Sequence, residues 1–207
     1  LFGYCILIID YFLTMATTDE IKQLRDATGV SVMQCKKALE EAGGDMEKAI
    51  VILRKIAAAG ASKKGDRVLG AGIAAAYTHA GGQVVGAVVL ACETDFVSRN
   101  PEFQQIAYDI AMHVAAMRPE FISKEQVKEE DVAKAREVFE QEAANVKEEM
   151  RAKAVEGKLQ AFLNEKVLLD QPFVKNGDIT IRQYIESGIQ KFGEKIEVVR
   201  VERLAVK

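Results

Sequence analysis

The 207-residue chain has three prolines, two histidines and three cysteines, and each scarcity removes a class of protein. So little proline, in a chain that is 49% hydrophobic and 29% charged, leaves no long disordered tract. It points to one fair-sized core with room for a small second module. Cys5, Cys35 and Cys92 are odd in number and far apart. That fits neither a disulfide framework nor zinc-ligand spacing, and suits reduced thiols in a cytoplasm. His79 and His113 form no metal-ligand pattern with those cysteines. The patterns G-x-x-x-x-G-K-[ST], G-x-G-x-x-G and G-x-S-x-G are absent, so neither a phosphate-cradling loop nor an activated serine is indicated. A net basic excess is missing as well. The formal net charge is -3, and without a basic stripe a protein partner is favoured over nucleic acid.

Apolar residues do crowd the start, LFGYCILIIDYFLT (residues 1–14). No Lys or Arg precedes Lys22, Asp10 interrupts the run, and its length falls short of the ~20 residues a spanning helix needs. No small-residue cleavage site closes it. Residues 1–14 are therefore read as a non-native upstream extension ahead of Met15-Ala16, with no membrane partner; an apolar anchor is the alternative.

Three capped helices are predicted next. Thr17-Thr-Asp-Glu20 is a capping box opening a helix that ends at Gly29. Ser31-Val-Met-Gln34 is a second box, opening a helix with an apolar stripe of Val32, Cys35, Leu39 and Ala42. Asp45 caps a third, with Met46, Ala49, Ile50, Leu53 and Ile56 on one face. Met33 falls off the second stripe, beside Lys37 and Glu40, and is expected to be exposed. Single exposed apolar residues are common, but a flexible methionine is also suited to contact another protein. The three helices, residues 15–57, make a very small bundle of the kind that binds partners. Residues 58–70 read as a linker.

From residue 71 the pattern changes. Ile73–His79 and Gln83–Cys92 flank Gly81-Gly82, a hairpin signal, and the second strand is apolar enough to be buried on both faces. Asn100 and Pro101 open a helix with Phe103, Ile106, Ala107, Ile110, Val114 and Met117 as its stripe, ended by Pro119. Residues 124–168 read as one long or broken helical segment and Gln171-Pro-Phe as extended. Thr180-Ile-Arg-Gln183 caps a helix ending at Gly193, and Lys195–Val206 is a last strand. The fold class is α+β: a three-helix bundle, a linker, and a small antiparallel sheet packed with helices over 71–207.

The stretch ACETDFVSRNPEF (91–103) carries the most information. Glu93 and Asp95, with one residue between them in a turn read as having no histidine or basic partner nearby in sequence, are weak candidates for acid–base chemistry. A solvated turn suits them better. Phe96 is open to two readings. It folds onto the core, as large apolar residues mostly do, or with Asp95 it forms a compact probe that wedges into another protein.

LRDATGVSVMQCKKAL (24–39) and CETDFVSRN (92–100) resemble the two signature stretches of the elongation factor Ts family, nucleotide exchange factors for the translational GTPase elongation factor Tu. EGKLQAFLNEKVLLDQPFVK (156–175) and GEKIEVVRVERL (193–204) are similar to later segments of that family, so the likeness runs from about Met15 to the end. It implies that Asp95 and Phe96, flanked by Thr94 and Val97, enter the GTPase's nucleotide domain near its magnesium ion and release GDP. It also implies an N-terminal bundle similar to ubiquitin-associated domains, contacting the same GTPase through Arg25, Val32 and Met33. Phe192 and Gly193 match the family's Ile-Gly-Glu-Asn turn near the partner. Departures are Val89-Leu90-Ala91, where the family usually has Glu, an aliphatic residue and Asn, and Val32, where many relatives have Met. The resemblance implies no cofactor, metal site or covalent chemistry, and a short form that dimerises to give a two-to-two complex. The rival reading is an adaptor that binds a peptide or ubiquitin-like protein through the bundle; an enzyme using Glu93 or Asp95 is a third.

Overall fold

A computed structural model describes residues 16–145 and 147–206; the upstream segment 1–14 lies outside the described residues. The chain forms two units. One runs to Val68 and also takes in Ile185–Ile196, and the other comprises Leu69–Tyr184 and the chain from Glu197.

In the first unit, α1 (Thr18–Thr28) begins at a complete capping box. The Glu20 amide donates to Thr17 Oγ1 (3.3 Å), and the Thr17 amide donates to Glu20 Oε2 (2.8 Å). The bond from the Thr17 backbone, with help from its side chain, holds the Glu20 carboxyl below its ordinary pKa. Gly29, at φ 69°, ends the helix in the left-handed conformation that glycine tolerates best. α2 (Val32–Glu41) is capped by Ser31, whose Oγ accepts from the Gln34 amide, and α3 (Met46–Ser62) by Asp45, which accepts from the Lys48 amide. Leu24, Val30, Cys35, Ala38, Leu39, Ala49 and Leu53 form their common core. Each buried leucine contributes roughly 1.5–3 kcal/mol.

Two stripe residues depart from expectation. Val32 is 48% exposed and Ile56 is exposed too. Val32 occupies the first position of α2, so its side chain projects from the end of the packed face. On α3 the buried row is Ala49, Leu53 and Ala57, at strict four-residue spacing, which leaves Ile56 one row off. α3 also continues through residues 58–62, the beginning of the stretch read as linker. Alanine's high helix propensity sustains it without an apolar stripe.

The second unit is built on a sheet of order β1-β2-β5. β1 (Ala71–His79) and β2 (Val84–Cys92) pair antiparallel from Ala71 opposite Cys92 to His79 opposite Val84. β5 (Ile196–Ala205) lies on the other side of β2. The Val206 amide donates to the Gln83 carbonyl (3.0 Å), setting the end of β5 beside the start of β2, so this pair is antiparallel too. α5 (Pro101–Met117) packs across β1 and β2. The approach is close at Gly86, where an added Cβ would stand 2.2 Å from the Ala111 carbonyl oxygen and 2.6 Å from the Ala115 amide nitrogen.

α5 covers one face only. The other face presents Ala74, Ala76, Ala87 and Val89, with Ala74 opposite Val89 and Ala76 opposite Ala87. Val89 is exposed, so β2 is not buried on both faces as its composition suggested. Met117, at the last position of α5, is exposed where its stripe was expected to be buried.

The segment read as one long or broken helix is two helices, α6 (Glu129–Glu142) and α7 (Glu148–Lys166). They are joined by Phe139 edge-on to Phe162 and by ion pairs Arg136–Glu156 (3.0 Å) and Lys158–Glu142 (2.6 Å). A small hairpin follows, β3 (Pro172–Phe173) with β4 (Asn176–Thr180); β4 was not anticipated. The capping box at Thr180 is formed, with the Gln183 amide on Thr180 Oγ1 (3.2 Å) and the Thr180 amide on Gln183 Oε1 (3.1 Å). It opens α8 (Ile181–Phe192).

Candidate functional site

The chain leaves β2 at Cys92, whose thiol donates to the Thr94 carbonyl (3.2 Å). Thr94 is extended and acts as N-cap, its Oγ1 accepting from the Val97 amide (3.5 Å). One helical turn follows, α4 (Asp95–Ser98). It is closed by the Ser98 amide on the Thr94 carbonyl (3.2 Å) and the Arg99 amide on the Asp95 carbonyl (3.1 Å). The Ser98 hydroxyl also donates to the Asp95 carbonyl (3.0 Å). Asn100 then caps α5, its Oδ1 accepting from the Glu102 amide (2.9 Å).

Within this turn Val97 is 4% exposed and Phe96 is 81% exposed. Neighbouring helical positions diverge by about 100°, so the valine that anchors the turn obliges Phe96 to face water. The core reading of Phe96 is thereby excluded. Val97, carried with it as a contact residue, is instead part of the interior and fixes the turn from below. Thr94 is exposed but has its hydroxyl engaged in the cap. Asp95 is exposed and pairs with Arg99, Oδ2 to Nη2 at 3.0 Å. Sequence reasoning passed over Arg99, although the four-residue spacing from Asp95 signals a helical ion pair. Ala91 is buried on the sheet opposite Gly72. There an added glycine Cβ would lie 2.6 Å from the Leu90 carbonyl oxygen.

The other candidates belong to the first unit. Arg25 is exposed on α1, and Met33 is 76% exposed on α2, beside the half-exposed Val32. Phe192 is half-buried at the end of α8, and Gly193 follows it at φ 73° with its amide on the Ile189 carbonyl (3.0 Å). Two side chains brace that turn. Arg67 donates to the Gly193 carbonyl (3.5 Å), and Lys195 donates to the Gly65 carbonyl (2.7 Å).

His79 and His113 have structural partners. His79 Nδ1 lies 3.1 Å from the Tyr77 hydroxyl, and His113 is wholly buried against Gln171. Cys35 is buried, and desolvation pushes its thiol pKa up. Among the described residues no group of three or more His, Cys, Asp or Glu side chains could hold a metal ion. Likewise none of the helices there is long and apolar enough to cross a membrane.

An α+β framework thus holds an acidic and an aromatic side chain exposed side by side on one short turn. In comparison with known sequences, the family model described as "Elongation factor TS" matches residues 13–207. The elongation factors Ts of Carboxydothermus hydrogenoformans, Desulforamulus reducens and Moorella thermoacetica are 46%, 44% and 43% identical to this chain. These alignments cover 91%, 88% and 93% of this chain and 88%, 85% and 96% of the relatives. The chain belongs to the elongation factor Ts family and has its role in translation elongation.

Proposed function

We propose that this chain is a guanine-nucleotide exchange factor for elongation factor Tu, working in the cytoplasm, and that Asp95 and Phe96 are its working residues. The observation that carries the reading is the exposure of Phe96 at 81% on a turn anchored by the buried Val97. A ring held in water by a rigid turn gains roughly 1.5–3 kcal/mol when a partner buries it. Each ~1.4 kcal/mol of preference for the nucleotide-free GTPase lowers nucleotide affinity tenfold. Entering beside the GTPase's magnesium site, the ring and the Asp95 carboxylate loosen the contacts of the ion and the phosphates. Coupling is reciprocal, so incoming nucleotide expels the factor to the same degree. The factor therefore turns over with no covalent step, no cofactor and no nucleic-acid or membrane contact.

Arg25, Val32 and Met33 supply a second, anchoring contact to the same GTPase, and the Phe192-Gly193 turn a third. The apolar sheet face around Val89 supports a homodimer, giving a two-to-two complex, because self-association would cover the alanines and valines that α5 leaves open. Release of labelled GDP from elongation factor Tu tests the central reading. Acceleration at substoichiometric factor is expected. Stoichiometric binding without acceleration would leave only an adaptor.

A further inference from the structure

The Asp95 carboxylate already has a charged partner. Arg99 is tied to Asp95 twice, by its guanidinium at 3.0 Å from Oδ2 and by its backbone amide on the Asp95 carbonyl at 3.1 Å. Acid before base at four-residue spacing is the favourable helical order. On an ideal helix Arg99 stands about 40° from Asp95 and about 60° from Phe96, between the two side chains of the display. Its guanidinium goes to the carboxylate and leaves the ring uncovered.

In water such an exposed pair is weak. Covered by a partner, the same charges lose their solvent, their attraction strengthens, and an unpaired carboxylate becomes costly to bury. We infer that Arg99 is a positioning residue for the exchange reaction: it fixes the direction of the Asp95 carboxylate and carries its counter-charge into the complex. This rests on the exchange-factor reading above.

The test compares Arg99→Ala, Arg99→Lys, Asp95→Asn and the double variant Asp95→Asn/Arg99→Ala in the full chain. Maximal labelled-GDP release at saturating factor is measured alongside thermal unfolding. Arg99→Ala should slow maximal release by at least about two- to fivefold, the span of an exposed ion pair being the lower bound for one that the partner covers. Arg99→Lys, which keeps a cation at the same spacing, should recover most of the loss. In the Asp95→Asn background Arg99→Ala should change nothing further, and all four proteins should melt alike. Release by Arg99→Ala at or above the wild-type rate overturns the inference. So does an equal slowing in the Asp95→Asn background, which would mean that Arg99 touches the GTPase directly. If Asp95→Asn and Phe96→Ala both release GDP at the wild-type rate, the exchange-factor reading of the turn fails first, and the role of Arg99 with it.

Discussion

His113 donates its Nε2 hydrogen to Oε1 of Gln171 at 2.8 Å. The Val174 amide donates to Nδ1 of the same ring at 3.2 Å, so Nδ1 must be unprotonated and the ring neutral. Gln171 in turn donates to the Met117 and Glu165 carbonyls. One buried pair thus joins α5, the end of α7 and the start of the β3–β4 hairpin.

Burial of the His113 ring, against which the Gln171 bond works, makes stability depend on pH. Desolvation depresses the His113 pKa below its ordinary 6.5, so in mild acid the unfolded chain binds more protons than the folded one. The contribution is fully present above pH 6.5. It is lost as pH falls through 6.5 towards the depressed folded value. Thermal unfolding from pH 8 to pH 5 should show this fall, and His113→Gln should flatten it. A wild-type slope retained in the variant would assign the titration elsewhere.

Phe96→Ala should leave the melting temperature nearly unchanged, because the ring is in water; a core phenylalanine would cost about 3–5 kcal/mol. GDP release should slow. A destabilised variant with normal exchange per folded molecule would sink the display reading.

Met33→Asp puts a charge on an exposed position of α2, so the fold should persist while affinity for elongation factor Tu falls, on the order of tenfold for ~1.4 kcal/mol lost. Titration calorimetry with the intact GTPase decides this. Unchanged affinity removes Met33 from the interface.

Sedimentation addresses the sheet face. Val89 is already exposed, so Val89→Glu should be tolerated by the monomer but convert a dimeric wild type to monomer. A monomeric wild type, or a dimeric variant, rules out the proposed contact.

Gly86→Ala should be severe. The new Cβ meets the backbone of α5 at Ala111 and Ala115, and backbone cannot swing aside as a side chain does. A loss of about 1–3 kcal/mol or more is expected in denaturant titration. Normal stability would show that α5 can retreat from the sheet.

Much of this was legible in the sequence because capping is local chemistry. Thr17, Asp45, Asn100 and Thr180 each announced a helix start that the structure contains. Stripe directions were legible too, but periodicity gives only an angle about the helix axis. It does not say how far along the axis a neighbour extends, which is why Val32 and Met117, at helix ends, turned out exposed. The third-helix extension was hidden because alanine is both a linker residue and the best helix former. For the site, the Asp-Phe display could be posed as a question but not answered. What answers it is the burial of Val97, which depends on the core beneath the turn. The polar cluster was out of reach altogether. Gln105, Lys175 and Tyr184 all donate to Asp109, and two of these partners come from parts of the chain far from it in sequence. Desolvation first, then the Asp109 charge, pushes the Tyr184 hydroxyl pKa up.

Most of the bonds that shape α4 lie between Cys92 and Asn100, with Gln104 Nε2 reaching back to the Ser98 carbonyl (3.4 Å), and the Val97 side chain sits in the interior beneath the turn. A segment so nearly self-sufficient is portable. Thr94–Asn100 grafted at another strand-to-helix junction with a valine-sized cavity should adopt the same shape and hold an acid and a ring outward. The turn and the body that carries it could therefore be altered separately, the one for its target and the other for its stability.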